Sequence, residues 1–306
     1  MSEKKHLPVL LEETLHYLGI EREGVYIDCT VGLAGHASEI LKRNLKARLI
    51  GFDLDEQSLL KSREVLRPYA GRFDLYHSDF RYIPELGLDF SEVRGVLIDF
   101  GFSSFQLDSP ERGFSHSLEG PLDMRMDFRN KLTAAKILEK YSEAKLAKVF
   151  REYGELKQAN KLARAIASRR RSQKIESTTQ LRQIVEDVCR WRPQAGKIHP
   201  ASKAFQALRI EVNQELRGLE EFLEQTAHLV PPKARLVGIS FHSLEDRIVK
   251  HTFIRLARPD DGQGILEVLT KKPVTPSAEE TGRNSRARSA KLRAAEKIPY
   301  GPQKAH

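Results

Sequence analysis

Residues 25–55 read VYIDCTVGLAGHASEILKRNLKARLIGFDLD. Few local patterns restrict a chain more. Val25, Ile27, Cys29 and Val31 alternate with other residues, the period of a half-buried strand. Gly32-Leu33-Ala34-Gly35 follows, and glycine permits a tight turn with close backbone approach. Ala37, Ile40, Leu41 and Leu45 then fall at helical spacing. Ala47–Phe52 is a second apolar run and ends on Asp53. Strand, glycine turn, helix, strand, acid is the layout of a nucleotide-binding βαβ unit. Asp53 lies 21 residues past Gly32, near the ~20 expected of an acid that holds ribose hydroxyls.

The spelling narrows the layout. A dinucleotide site reads GxGxxG, and this turn does not. It carries Asp28 inside the first strand end and a GxAG turn. That resembles the S-adenosylmethionine pocket of Rossmann-type methyltransferases, where the first acid and the turn face the methionine part. A purely structural crossover with a glycine helix entry would use the same letters, so the rest of the chain must decide.

Phe73–Phe80 (FDLYHSDF) is a third strand ending on Asp79-Phe80. In such methyltransferases this strand end meets adenine, with an acid near its amino group and an apolar side chain on its face. Asp79 would equally serve as a cap on the following helix. Val93–Ile98 is a fourth strand and runs into Asp99-Phe100-Gly101-Phe102-Ser103-Ser104-Phe105-Gln106-Leu107-Asp108. In an open α/β sheet, ligands bind beyond the carboxyl ends of the strands. An acid followed by aromatics at this strand end suits methylation of an exocyclic amine. The amine lone pair is delocalised into the ring, so an acceptor on its N–H groups helps the nitrogen pyramidalise. Aromatic rings hold an extruded base by stacking. Asp99 with Phe102 or Phe105 supplies both. The DFG triplet is not that of a protein kinase, because the VAIK lysine and HRD loop are missing.

Elsewhere, His6–Leu18 is an apolar lead-in with Glu12-Glu13 opening a short helix, and Glu56–Leu66 is helical up to Arg67-Pro68. Pro200–Val230 is expected as one long helix, on which Arg209 and Asn213 face either substrate or surface. Ala234–Phe241 is the fifth strand. His242 behind it is expected to make an orienting hydrogen bond rather than touch substrate, and Ser243 with Asp246 resembles a helix cap. Ile265–Lys271 and Arg286–Ala294 are expected to close the sheet as an antiparallel pair, around a mobile polar loop, 273–285.

At 306 residues, with 40% hydrophobic and 30% charged residues, the chain suits a soluble globular protein of one large domain or two. Apolar runs are of strand length, and the first residues lack a signal-peptide core. Cys29 and Cys189 suggest a reducing compartment without a disulfide framework. The histidines show no metal-ligand spacing with them.

Net charge is +9, unevenly spread. Arg129–Pro200 holds 18 Lys and Arg against 7 Asp and Glu, so it carries +11 while the rest of the chain carries −2. A near-neutral body with one basic segment points to a polyanion. The segment is helical in period. Leu146, Val149, Phe150 and Tyr153 form one stripe before Gly154, a helix stop; Leu156, Ala159, Ala163 and Ile166 form another. Ser177 and Gln180 form a capping box ahead of Leu181, Ile184, Val185 and Val188. Arg169-Arg170-Arg171 closes one helix, and Arg192-Pro193 with His199-Pro200 marks the exit.

Longer motifs carry a specific resemblance. HLPVLLEE (6–13), AGH (34–36), SSFQLD (103–108), ERGFS (111–115), GPLDMRMD (120–127), HPASKAFQALRIEVNQEL (199–216), SFHSLEDRIVK (240–250) and RARSAKLRAAEK (286–297) run almost from end to end. The chain resembles the MraW/RsmH family, bacterial enzymes that methylate N4 of a cytidine in the decoding region of small-subunit ribosomal RNA. It departs from the usual family residues at Cys29, Val31, Ala34, Phe102 and Phe105, all around the expected pockets.

The resemblance implies a Rossmann-like class I methyltransferase sheet with an inserted all-helical subdomain. It divides the chain into 1–110 with 200–306 for the methyltransferase and 111–199 for a basic insertion that binds substrate RNA. It implies S-adenosylmethionine as cofactor, held by Ala34, Gly35, His36, Asp53, Phe80, Asp99 and Gln106. Asp99 and Ser103 are the catalytic candidates, and no metal is implied. The implied partner is small-subunit ribosomal RNA or the 30S particle, in the cytoplasm and without a membrane, with a homodimer among the oligomeric states it allows. Two rivals stand beside it: an NAD-dependent dehydrogenase, and a non-catalytic ribosome-assembly factor.

Overall fold

Strand-length runs rich in Val, Ile and Leu suit a parallel sheet buried on both faces. The computed structural model describes residues 8–192, 199–259 and 262–299. It divides the chain into two units, Met1–Gly101 with Gly218–His306, and Phe102–Arg217.

The first unit runs α1 (Leu11–Leu18), β1 (Gly24–Asp28), α2 (Gly35–Arg43), β2 (Ala47–Asp53), α3 (Glu56–Leu66), β3 (Phe73–His77) and β4 (Val93–Asp99). The second unit follows, with α4 (Ser104–Asp108), α5 (Ala134–Lys140), α6 (Glu143–Glu152), α7 (Ala159–Arg169), α8 (Thr178–Cys189) and α9 (Pro200–Asn213). The chain then returns to the first unit through α10 (Leu219–Leu229), β5 (Arg235–Ser240), α11 (Ser243–Ala257), β6 (Leu266–Val268), α12 (Ala278–Arg283) and β7 (Lys291–Lys297).

The seven strands lie in the order β3-β2-β1-β4-β5-β7-β6. The first five run parallel, and β7 is antiparallel to both β5 and β6. Strand order reverses between β1 and β4, the switch point at which open α/β sheets bind ligands. Side chains alternate across the sheet. Tyr26, Leu49, Leu97 and Val237 enter one core with Ala37, Ile40 and Leu41 of α2. Ile27, Phe52, Val96 and Leu236 enter the other with Phe222 and Leu223 of α10 and Val249 of α11.

Several expectations change. Pro200–Val230 is two helices, because Gln214 and Gly218 take left-handed φ of 50° and 71° between them. α9 packs against α5, α6 and α8, so its apolar face completes the helical core and not the sheet. The two compact units divide at 101/102 and 217/218, with 102–110 and 200–217 in the helical one. The closing pair is Leu266–Val268 with Lys291–Lys297, three residues further on at its second strand than the end expected there. The 273–285 loop carries α12, whose Glu280 Oε1 accepts from the Leu10 amide at 2.8 Å, so it is tied down.

The helical unit follows its local signals closely. The Ser177–Gln180 capping box opens α8. Gly154 works differently from a left-handed stop. The left-handed residue is Glu155, at φ 48°. A Cβ on Gly154 would lie 2.8 Å from the Lys203 and Phe150 carbonyl oxygens, so glycine is there for close approach. Pro193 and residues 6–7 lie outside the described residues.

Candidate active site

Asp28, Asp53 and Asp99 are the last residues of β1, β2 and β4. Asp28 is paired across the sheet with Gly51 and Leu97. Asp53 and Asp99 each lie two residues beyond those partners, so alternation sends all three carboxylates to one face. Strands lie about 4.8 Å apart, which brings the acids to one rim.

The turn after β1 is stitched to both neighbours. Cys29 and Val31 amides donate to Leu97 O and Phe52 O, each at 2.9 Å. The Gly32 amide donates to Asp53 Oδ2 at 2.8 Å, and the Asp55 amide donates to Oδ1 at 2.8 Å. The Thr30 amide donates to Asp28 Oδ1 at 3.1 Å, while Thr30 Oγ1 accepts from the Asp99 amide at 2.8 Å. Sequence reasoning missed Thr30; its position two residues after an aspartate is the Asx-turn signal that marks it.

Ala34 is fully buried and left-handed at φ 59°, and it opens α2 without a side-chain cap. A Cβ on Gly35 would sit 2.7 Å from Pro8 Cγ. His36 Nε2 lies 3.0 Å from Val9 O, which assigns its proton to that nitrogen. Nδ1 then presents its lone pair 3.7 Å from Asp99 Oδ2. Asp99 Oδ1 is buried and has no hydrogen-bond partner among the described residues.

Burial dominates the acid–base behaviour of this rim. It pushes the Asp28 carboxyl up to about 7, with the Asp53 charge adding to it and the Thr30 amide opposing. Burial likewise raises Asp53 to about 6 against its backbone donors. Asp99 is raised well above the carboxylate range, by burial and then by Asp28 and Glu245. Burial also raises the Cys29 thiol, which makes it a poor nucleophile.

Asp79 is a cap. It accepts from the Arg81 amide at 2.9 Å at the start of a 3-10 turn and ion-pairs with the Arg81 guanidinium. Phe80 meets Phe222 edge-on, with ring centroids 4.9 Å apart. His242 opens α11 by a reciprocal box with Glu245, whose carboxylate accepts from the Phe241 amide at 2.8 Å. That is the orienting role expected of it. Asp246 does not cap α11: it pairs with Arg293 at 2.6 Å and Lys291 at 3.4 Å, fastening the helix to β7.

Ser103 and Gln106 belong to the helical unit and cap α4 reciprocally. The Gln106 amide donates to Ser103 Oγ at 3.2 Å, and the Ser103 amide donates to Gln106 Oε1 at 2.9 Å. The Phe102 ring lies under the Arg209 guanidinium at 4.7 Å and tilts against Phe114 at 5.6 Å. Arg209 is gripped by Glu215 through bonds of 2.9 and 2.8 Å. Asn213 donates to Met124 O and Arg209 O and accepts from the Met126 amide. Arg209 and Asn213 thus shape the Phe102 ring and the GPLDMRMD turn.

The arginine triplet divides. Arg169 and Arg171 are exposed. Arg170 donates from one guanidinium nitrogen to Leu138 O and Tyr141 O, both at 2.7 Å, at the end of α5.

A doubly wound sheet with this acid rim defines a Rossmann-like class I methyltransferase that uses S-adenosylmethionine. The rim fits that cofactor. Carboxylate acceptors suit a cation and a ribose diol, Asp99 Oδ1 awaits a donor, and the uncapped first amides of α2 suit a carboxylate. The MraW methylase family matches residues 3–298, and the chain belongs to it. It is 46% identical to a protein of Carboxydothermus hydrogenoformans named "Ribosomal RNA small subunit methyltransferase H", over 97% of this chain and 99% of that one. It is 44% identical to the protein of that name from Sulfurihydrogenibium azorense, over 96% and 99%. Among solved structures, an rRNA methylase from Streptococcus thermophilus aligns over 96% of this chain and 99% of that one, with 10% identity and a TM-score of 0.42. No helix among the described residues is long and apolar enough to cross a membrane.

Proposed function

We propose that this chain methylates N4 of a cytidine in the decoding region of small-subunit ribosomal RNA. The observation that carries the reading is near-full-length identity of 44–46% to relatives named for small-subunit ribosomal RNA methylation. The acid rim and the basic helical segment agree with it.

The cofactor supplies an electrophilic methyl group on a sulfonium. Asp53, aimed by its bonds from the Gly32 and Asp55 amides, would accept from the ribose hydroxyls. Ala34, Gly35 and His36 would line the methionine end, and Phe80 would lie against the adenine. Asp99 Oδ1, which has no partner among the described residues, would accept from the cofactor or from the cytosine amine; on the amine it would make the nitrogen lone pair available. Ser103 and Gln106 fix the N-terminus of α4 directly after Asp99 in the chain. The helical unit holds RNA phosphates through its exposed cations, which positions the strand without reading its sequence. The partner is the ribosomal RNA or the 30S particle, in the cytoplasm.

Transfer of labelled methyl from S-adenosylmethionine to small subunits lacking the modification tests this. Label at N4 of one cytidine is expected. Binding without transfer would instead support an assembly factor.

A further inference from the structure

The rim brings three carboxylates to one edge of the sheet. Among the described residues, no lysine or arginine forms an ion pair with Asp28, Asp53 or Asp99. The ionisable groups facing them, among the described residues, are Cys29 beside Asp28, Asp55 beside Asp53, and Glu245 and His36 beside Asp99. All but His36 are acids or a thiol, and His36 Nε2 lies 3.0 Å from Val9 O. Asp28 is the most enclosed of the three, 2% exposed, with one bond from the Thr30 amide.

Like charges gathered in a buried site do not all stay ionised; a proton or a cation must join them. The spent and unspent cofactors differ in that respect. Both carry the same adenosine, amine and carboxylate. The sulfonium has one positive charge, and the thioether left after transfer has none. Methyl transfer breaks the S–CH₃ bond, leaves its electron pair on sulfur and forms an N–CH₃ bond; the positive charge passes to the amine nitrogen, which gives up a proton, and the sulfur beside the rim is then neutral.

Resting on the reading that this rim is the S-adenosylmethionine site, we propose that Asp28 is a specificity-determining residue that reads the charge on the cofactor sulfur. The rim keeps a proton when it is empty or holds the thioether, and releases it to solvent when it holds the sulfonium. Discrimination against spent cofactor then depends on pH. Burial of Asp28 sets the range: its raised pKa of about 7 places the exchange near neutrality.

Calorimetric titration of the full chain with S-adenosylmethionine and with S-adenosylhomocysteine tests this at about pH 6, in buffers of different ionisation enthalpy. The sulfonium ligand is expected to release about one proton more than the thioether. Preference for it should rise about tenfold or more between roughly pH 5.5 and 7.5, then level off. Asp28→Asn should remove the extra proton and flatten the slope. Equal proton release by both ligands in the unaltered protein would overturn the proposal, and it can be read even if the variant fails to fold. An unchanged slope in folded Asp28→Asn would overturn the role of Asp28. If neither ligand binds, the cofactor-site reading itself fails and takes the proposal with it.

Discussion

Arg170→Ala separates a structural arginine from its two neighbours. The α5 helix ends with carbonyls that have no intrahelical donor. Ile137 O is satisfied by the Tyr141 amide, but Leu138 O and Tyr141 O are both met by Arg170, at 2.7 Å each. Hydrogen bonds from a charged donor contribute about 1.5–3 kcal/mol. A cation at a helix C-terminus adds about 0.3–1 kcal/mol. Arg170 is only partly buried, and water can replace some of what is lost. The expected cost is therefore about 2–3 kcal/mol of the helical unit's stability. Arg169→Gln with Arg171→Gln removes two exposed charges and should cost under about 0.5 kcal/mol. RNA binding should respond in the opposite way. The exposed pair should weaken it and make the salt slope shallower by about 1.4, or ~0.7 for each phosphate contact on a single strand. Urea unfolding and salt-dependent RNA titration of both variants provide the assay. If the Arg170 variant unfolds at the same urea concentration as the unaltered chain, the capping argument is wrong. If the double variant keeps its salt slope, these two arginines do not contact phosphate.

Asp53→Asn should lower S-adenosylmethionine affinity by about 1.5–3 kcal/mol, or roughly ten- to a hundredfold, because the ribose loses a charged acceptor; equal affinity by calorimetry would take Asp53 out of the site. Cofactor-free stability should depend on pH through Asp28. Its folded pKa of about 7 exceeds its ordinary value of 3.8, so its contribution is fully present below that value and lost as pH rises through about 7. Denaturation across this range should show a loss on the order of a few kcal/mol, to which Asp53 and Asp99 add in the same direction and which Asp28→Asn reduces by its own share; parallel curves for the two proteins would refute it. Ala34→Gly should stabilise the chain by up to about 1 kcal/mol, because a left-handed alanine is strained by roughly 1–2 kcal/mol and the lost methyl offsets part of that. A lower melting temperature for Ala34→Gly would show that the buried methyl outweighs the strain.

The sequence by itself determined what depends on near neighbours. The βαβ unit at 25–55, the parallel strands, the Glu56–Leu66 helix and the Ser177–Gln180 box are written in periods and caps that a few residues suffice to specify. The three acids at the rim were also visible, since each directly ends an apolar run. The tertiary structure decided what depends on distant partners. The break in the helix after Asn213 assigned α9 to the helical core, which a continuous apolar stripe had concealed. Arg170 reads as one of three equal charges until Leu138 and Tyr141, about thirty residues earlier, come within reach of it. Asp246 resembles a cap until Arg293 arrives from a strand 47 residues further on. Asp28 looks like any strand-end acid until the sheet encloses it beside Asp53 and Asp99, with no lysine or arginine among the described residues paired to any of the three. Local backbone preference acts over a few residues, whereas burial and charge act through space, and only the folded chain sets those distances.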